Sequence, residues 1–226
     1  MVTSLKTGVL RPSKAPNLPI APVEYTQQYQ DQVLNALRLY FNQIDNFGFG
    51  LSNPQGGSYL SFPCIAADYY PAQYASADNT ATIVAWNNAS KVSGFTLNSD
   101  NTATATYSGT YKITYSLQFA NSDNAAHDAV VWLKVNGIDV PSSTTIFTVQ
   151  ARKSAGIYTY VCGYSEVVFD LNAGDKVGLW WGTDQHATSG GALGLWMYSR
   201  AAQTTPMAYP ATPSAIGSIT FVSALS

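Results

Sequence analysis

In the stretch Tyr111-Lys112-Ile113-Thr114-Tyr115-Ser116-Leu117-Gln118-Phe119 every odd position is apolar or aromatic and every even one is polar. Successive side chains of an extended chain point to opposite faces. Unbroken alternation over this length therefore specifies an antiparallel strand with one buried and one wetted face. Working outward, the pattern predicts further strands at 83–86, 92–98, 129–135, 144–150, 157–169, 176–181, 192–199 and 216–223. Asn136-Gly137, Asn172-Ala173-Gly174-Asp175 and Gly190-Gly191 punctuate them with residues that accept the left-handed backbone of tight turns. With no helical periodicity from about residue 58 onward, the expected fold class is mainly β, a sandwich or jelly roll.

The length of 226 residues allows one large β domain, or one medium domain with an appendage. Of 226 residues only 11% are charged, against ~25% in an ordinary globular chain. Aromatic residues make up 13%, and at 46% hydrophobic content the chain can build a core. A net charge of −2 gives no global attraction to nucleic acid, so no nucleic-acid partner is expected. The sequence has no run of 18 apolar residues, so no membrane insertion by a helix is expected, and the opening MVTSLKTGVLRPSK lacks the apolar stretch of a secretory signal. Cys64 and Cys162, 98 positions apart, fit no metal or redox spacing; two reduced thiols or a disulfide are both open.

Residues 1–22 read as an extended anchoring arm. They carry Lys6, Arg11 and Lys14 with no acid, and prolines at 12, 16, 19 and 22 that fix an extended backbone. From Glu24 onward there are 8 basic and 13 acidic residues, so a cationic arm precedes an acidic body. Residues 23–47 predict a helix, in which Val33, Leu37, Tyr40, Ile44 and Phe47 recur at steps of 4, 3, 4 and 3. Leu34 and Phe41 widen this seam, and Gly48 or Asn46 is the expected stop. The seam is expected to hold copies of the chain together. Residues 48–226 form the expected head, with 48–80 linker-like.

Four stretches carry a resemblance. Gly109-Thr110-Tyr111 opens the alternating strand, and Val131-Trp132-Leu133-Lys134-Val135-Asn136-Gly137 runs into a turn. Val168-Phe169-Asp170-Leu171-Asn172-Ala173-Gly174-Asp175-Lys176-Val177 forms a hairpin, and Ile219-Thr220-Phe221-Val222 closes the chain. In this order they resemble the jelly-roll head of the complement-component and tumour-necrosis-factor superfamily over about residues 92–226. The resemblance implies a ten-stranded jelly roll assembling as a homotrimer. The order of arm, short helix and β head is also similar to bacteriophage fibres and head-decoration proteins. There the arm clips to a capsid or tail protein, the helix sets three chains in register and the head projects. Pro19-Ile20-Ala21-Pro22-Val23-Glu24-Tyr25 resembles the start of small virion proteins.

Candidate chemistry is sparse. His127, at the start of a strand, and His186, in a polar loop, have no partner at metal spacing and read as structural. Gly163-Tyr164-Ser165-Glu166 fails the nucleophile-elbow pattern at its last position. No catalytic residue and no cofactor are expected. Asp123, Asn124 and Asp128 in one loop, with Asp100-Asn101 in another, offer the oxygen ligands of a calcium site, against turn-forming Asx residues as the simpler reading. Tyr69, Tyr70, Tyr74, Trp180 and Trp181 are candidates for stacking on a host glycan or a protein partner, although alternation sends Trp180 and Trp181 to opposite faces. The expected function is a non-enzymatic virion protein, anchored by Lys6, Arg11, Pro12, Lys14, Pro16 and Pro19 to a head or tail. A tail-fibre or cell-surface adhesin is the alternative.

Overall fold

The computed structural model describes residues 16–20, 23–24, 26–52 and 62–225. Lys6, Arg11, Pro12 and Lys14 lie outside the described residues; Pro16 and Pro19 belong to a short segment without regular structure. The chain divides after residue 61 into two compact units.

The first unit holds one helix, α1 (Gln27–Ser52). Thr26 caps it, its hydroxyl accepting a hydrogen bond from the Tyr29 amide (3.3 Å). The expected stop at Gly48 does not occur: the helix continues through Gly48 and Gly50 to Ser52. Glycine tolerates a helical backbone at a cost of ~1 kcal/mol and terminates it only where a left-handed turn is required. At 26 residues α1 is about 39 Å long, from a rise of ~1.5 Å per residue. Val33, Leu37 and Tyr40 are half-buried along one side, while Ile44, Leu34, Leu39 and Phe41 are exposed. The Phe47 side chain lies outside the described residues. No helix among the described residues is long and apolar enough to cross a membrane.

The second unit is all β. Its strands are β1 (Cys64–Tyr69), β2 (Thr82–Ile83), β3 (Asn88–Ser93), β4 (Phe95–Leu97), β5 (Ala103–Ala105), β6 (Gly109–Asn121) and β7 (His127–Val135). There follow β8 (Ile138–Asp139), β9 (Thr145–Val149), β10 (Thr159–Leu171), β11 (Lys176–Thr183), β12 (Leu195–Met197) and β13 (Ala215–Ser223). One sheet runs β10-β6-β13-β1-β3 with β12 beside β6. The other runs β4-β5-β11-β7-β8, with β2 on β11 and β9 on β7. Every pairing is antiparallel. Neighbours such as β6 and β13, or β5 and β11, are far apart in sequence, as in a jelly-roll sandwich.

The alternating stretch is β6, at the centre of the first sheet. Tyr111, Ile113, Tyr115, Leu117 and Phe119 point into the sandwich and meet Leu133, Leu179 and Trp181 of the second sheet. Phe119 stands 5.9 Å from the rings of both Phe147 and Trp181. Gly163 makes room for this cluster, since a Cβ there would lie 2.9 Å from Phe119 and 3.0 Å from Phe147. The Tyr111 hydroxyl donates to the Tyr107 carbonyl (2.8 Å), whereas Tyr115 Oη and Trp181 Nε1 are buried without a partner.

Three expectations are corrected. The predicted strand 92–98 is two strands in different sheets: Gly94, at φ 65°, turns the chain from β3 in the first sheet to β4 in the second. The predicted strand 192–199 shrinks to β12, because Gly191 (φ 105°) and Gly194 (φ 155°) break its start. The linker-like 48–80 contains the end of α1 and the whole of β1, which pairs on both sides with β13 and β3. The described residues thus form thirteen strand segments where ten were implied, several only two or three residues long. Asn136-Gly137 forms its turn as expected, at φ 51° and 81°.

Candidate functional site

Alternation that buries one face of each sheet leaves the other outward, and the two outward faces differ. On the first sheet, register aligns Tyr164, Ser116, Ile216 and Asp68 in one row across β10, β6, β13 and β1. Glu166, Thr114, Ser218 and Ala66 form the next outward row, and Val168, Lys112, Thr220 and Cys64 the one after it. Tyr164, Val168 and Ile216 are 61%, 59% and 48% exposed, with the small hydroxyls of Thr114, Ser116 and Ser218 between them. The Lys112–Glu166 pair (3.5 Å) sits within this face. At one end Tyr160 packs against Tyr198 (4.7 Å between centroids), and Arg200 donates to the hydroxyls of Tyr198 and Tyr209. Tyr160, Tyr164, Val168 and Ile216 make this face rich in exposed apolar and aromatic side chains, with Asp68, Lys112 and Glu166 as charges among them. Cys64 and Cys162 both lie on this sheet, on strands three places apart, or about 14 Å at ~4.8 Å per strand. Both are free, and no disulfide joins them.

On the second sheet, Trp132 of β7 and Trp180 of β11 are cross-strand partners facing outward. The Trp132 indole N–H donates to Asp139 Oδ1 (2.7 Å), and Lys134 Nζ lies 4.9 Å from the Trp180 centroid and 3.3 Å from Asp139. The Trp132 hydrogen bond, then Lys134, hold the Asp139 carboxyl below its ordinary value. Beside Trp132 lies a groove of about 340 Å³ bounded by Val130, Asp128, Gly182, Asp184 and the loop 79–81.

That end of the sandwich is organised by two histidines. His127, the first residue of β7, is 8% exposed and lies between two carboxylates: Nδ1 reaches Asp184 Oδ2 and Nε2 reaches Asp123 Oδ2, both at 2.9 Å. Burial opposes the charged ring, but the hydrogen bonds with Asp184 and Asp123 outweigh it and raise its pKa above the ordinary value. Burial likewise opposes ionised Asp184, yet His127 and the Asp128 amide carry its pKa below normal. For Asp123 the His127 hydrogen bond is the largest cause of a lowered pKa. His186 makes a second pair: its amide (2.8 Å) and Nδ1 both donate to Asp78 Oδ1, which lowers the Asp78 pKa. His127 is therefore a buried, doubly clamped imidazole, a role the sequence did not reveal because Asp184 is 57 positions away.

The remaining candidates divide. Trp181 is fully buried in the core and offers nothing to a ligand, so its place among the stacking residues is corrected: inward parity fixes it there. Tyr69 packs against the core, while Tyr70 and Tyr74 are partly exposed outside the groove. Trp180 faces outward as alternation requires. Among the calcium candidates, Asp123 turns to His127 and the Asn124 amide, and Asp128 Oδ1 takes the Thr148 hydroxyl (2.7 Å). Asp100 accepts from the Thr102 amide and hydroxyl, and Asn101 Oδ1 accepts from the Trp86 amide. Among the described residues no group of three or more His, Cys, Asp or Glu side chains could hold a metal ion.

No family model matches the chain, and no curated protein matches it. Among solved structures, the chain is similar to the Eiger tumour necrosis factor of S. frugiperda, with 11% identity over 73% of this chain and 95% of that one, at a TM-score of 0.46. The likeness is one of fold alone; the jelly-roll assignment rests on the strand order given above.

Proposed function

We propose that this chain is a non-enzymatic structural protein of a bacteriophage particle: a homotrimeric head-decoration or head-fibre protein held to the particle by its N-terminal arm. The outward face of the first sheet carries the reading. Tyr164 and Ile216 share one row and Val168 stands two rows away, all exposed on the surface of one chain, with the charges of Lys112 and Glu166 beside them paired to each other. Covering that face with further copies removes apolar area from water at ~25 cal/mol per Å². A closed ring of three copies satisfies every face at once. The apolar side of α1, with Val33, Leu37 and Tyr40 on it, supports the same reading, since a helix in a protein draws most of its stability from packing its apolar face. The cationic, proline-rich residues 1–22 supply an extended segment suited to main-chain pairing with a capsid or tail protein. Such a protein would be assembled in the host cytoplasm and reside in the virion.

Deleting residues 1–22 is the test. The truncated protein is expected to keep its trimeric mass and to lose binding to purified particles. Retained particle binding would remove the arm from this account, and loss of the trimer would place self-association in the arm instead of the face.

A further inference from the structure

We propose that the groove beside Trp132, on the outward face of the second sheet, binds neutral saccharides. This goes beyond the structural role above and does not depend on it, because every residue involved belongs to one chain. The groove, about 340 Å³, falls within the ~300–1,000 Å³ of small-ligand sites. Its one aromatic wall is Trp132, whose indole is fixed at one edge by Asp139 (2.7 Å) and flanked by the Lys134 ammonium, 5.9 Å from the ring centroid. A ring so held meets a ligand without losing rotamer freedom. A pyranose has the matching shape: a face of C–H groups to lie on the indole, and a rim of hydroxyls to hydrogen-bond sideways.

The other end of the groove, where Asp128 lies four residues from Trp132 along β7, supplies those bonds to a saccharide longer than one ring. Asp184 is occupied by His127 and by the Asp128 amide (3.1 Å), but Asp128 spends only Oδ1, on Thr148, and its Oδ2 remains for a hydroxyl donor. The third wall, the loop 79–81, is tied down at its base: the Asn79 amide donates to the Thr183 carbonyl (2.7 Å) and Asp78 holds His186. Gly182 lets this loop lie on β11, since a Cβ there would be 3.2 Å from the Thr80 carbonyl oxygen. The two histidine–carboxylate pairs thus act as positioning residues for the groove. Charge sets the ligand class. Asp128 and Asp184 line the groove while Lys134 is already paired with Asp139, so sialylated, uronic and sulfated sugars are repelled and neutral ones are not.

The experiment is a glycan array probed with the full-length protein, carrying neutral hexose and N-acetylhexosamine oligosaccharides beside sialylated and sulfated ones. The strongest neutral glycan is then titrated by calorimetry against wild type, Trp132→Ala and Ala81→Leu. Ala81 is exposed at the groove rim, so leucine narrows the groove while leaving Trp132 in place. Binding confined to neutral glycans is expected, with affinity falling about tenfold or more in both variants, while mass stays at the wild-type value and Ala81→Leu, which leaves the Trp132 contacts intact, also keeps the wild-type melting temperature. Absence of neutral-glycan binding, a preference for anionic glycans, or wild-type affinity in either variant would overturn the proposal.

Discussion

The first sheet turns exposed Tyr164, Val168 and Ile216 outward, set among paired polar groups such as Thr114 with Ser218 and Lys112 with Glu166. The second turns out Trp132, Trp180, Lys134, Asp139 and Asp128, nearly all of them fixed by a named partner. Both faces arise from the same alternation of inward and outward side chains, so the difference lies in what the outward residues do once the core is formed. A face meant to meet another protein surface gains by burying area and needs few internal bonds. A face meant to hold a small ligand gains by being set in advance. Charge is drawn into pairs on both faces, Lys112 with Glu166 on the first and Lys134 with Asp139 on the second.

The largest expected effect breaks the first face. Ile216→Asp puts a carboxylate in the row of Tyr164 and Ser116, and burying that unpaired charge in an assembly should cost ~3–5 kcal/mol per interface. The protein should become monomeric by sedimentation while its melting curve in the monomer stays close to wild type, because Ile216 is outside the core. A trimer that survives this change would remove the face from the account.

The next effect is on the clamped end of the second sheet. His127→Ala leaves Asp123 and Asp184 without their shared partner and should cost ~1–3 kcal/mol in denaturant unfolding, with no change in mass. The same cluster predicts a pH profile. The raised His127 pKa contributes stability that is fully present below the ordinary histidine value of 6.5 and is lost as pH rises through the folded value. The lowered Asp123 and Asp184 values contribute stability present above 3.8 and lost as pH falls through their folded values. Stability is therefore expected to be greatest between these limits and to fall on both sides, more shallowly in His127→Ala. A variant profile that overlays the wild type would show that the clamp does not couple to folding. The smallest effect is Asp139→Asn, which weakens the bond to the Trp132 indole and the Lys134 pair at the surface and should lower the midpoint of the same unfolding curve only slightly.

Legibility in the sequence followed the range of the forces. The alternation at 111–119 gave the central strand and its buried face correctly, because parity is a local property. Asn136-Gly137 gave its turn for the same reason. Gly94 was unreadable as a crossing between sheets: the residues on either side alternate well enough, and only the long-range pairing of β3 with β1 and β4 with β5 separates them. β1 hid behind small residues, with Ile65 its one fully buried side chain. At the sites, Trp180 was visible as an outward ring, but its partnership with Trp132 needs the β7–β11 register. Asp123 sat four positions before His127 in plain view. Asp184, the second half of the clamp, arrives only through the pairing of Ala129 with Thr183.

The claim on which the rest depends is that the first outward face exists to be covered by copies of the same chain. Light scattering of the full-length protein across micromolar concentrations tests it most directly. The account predicts a stable particle of three times 24.2 kDa, unaffected by Trp132→Ala; a mass of 24.2 kDa throughout that range would contradict it.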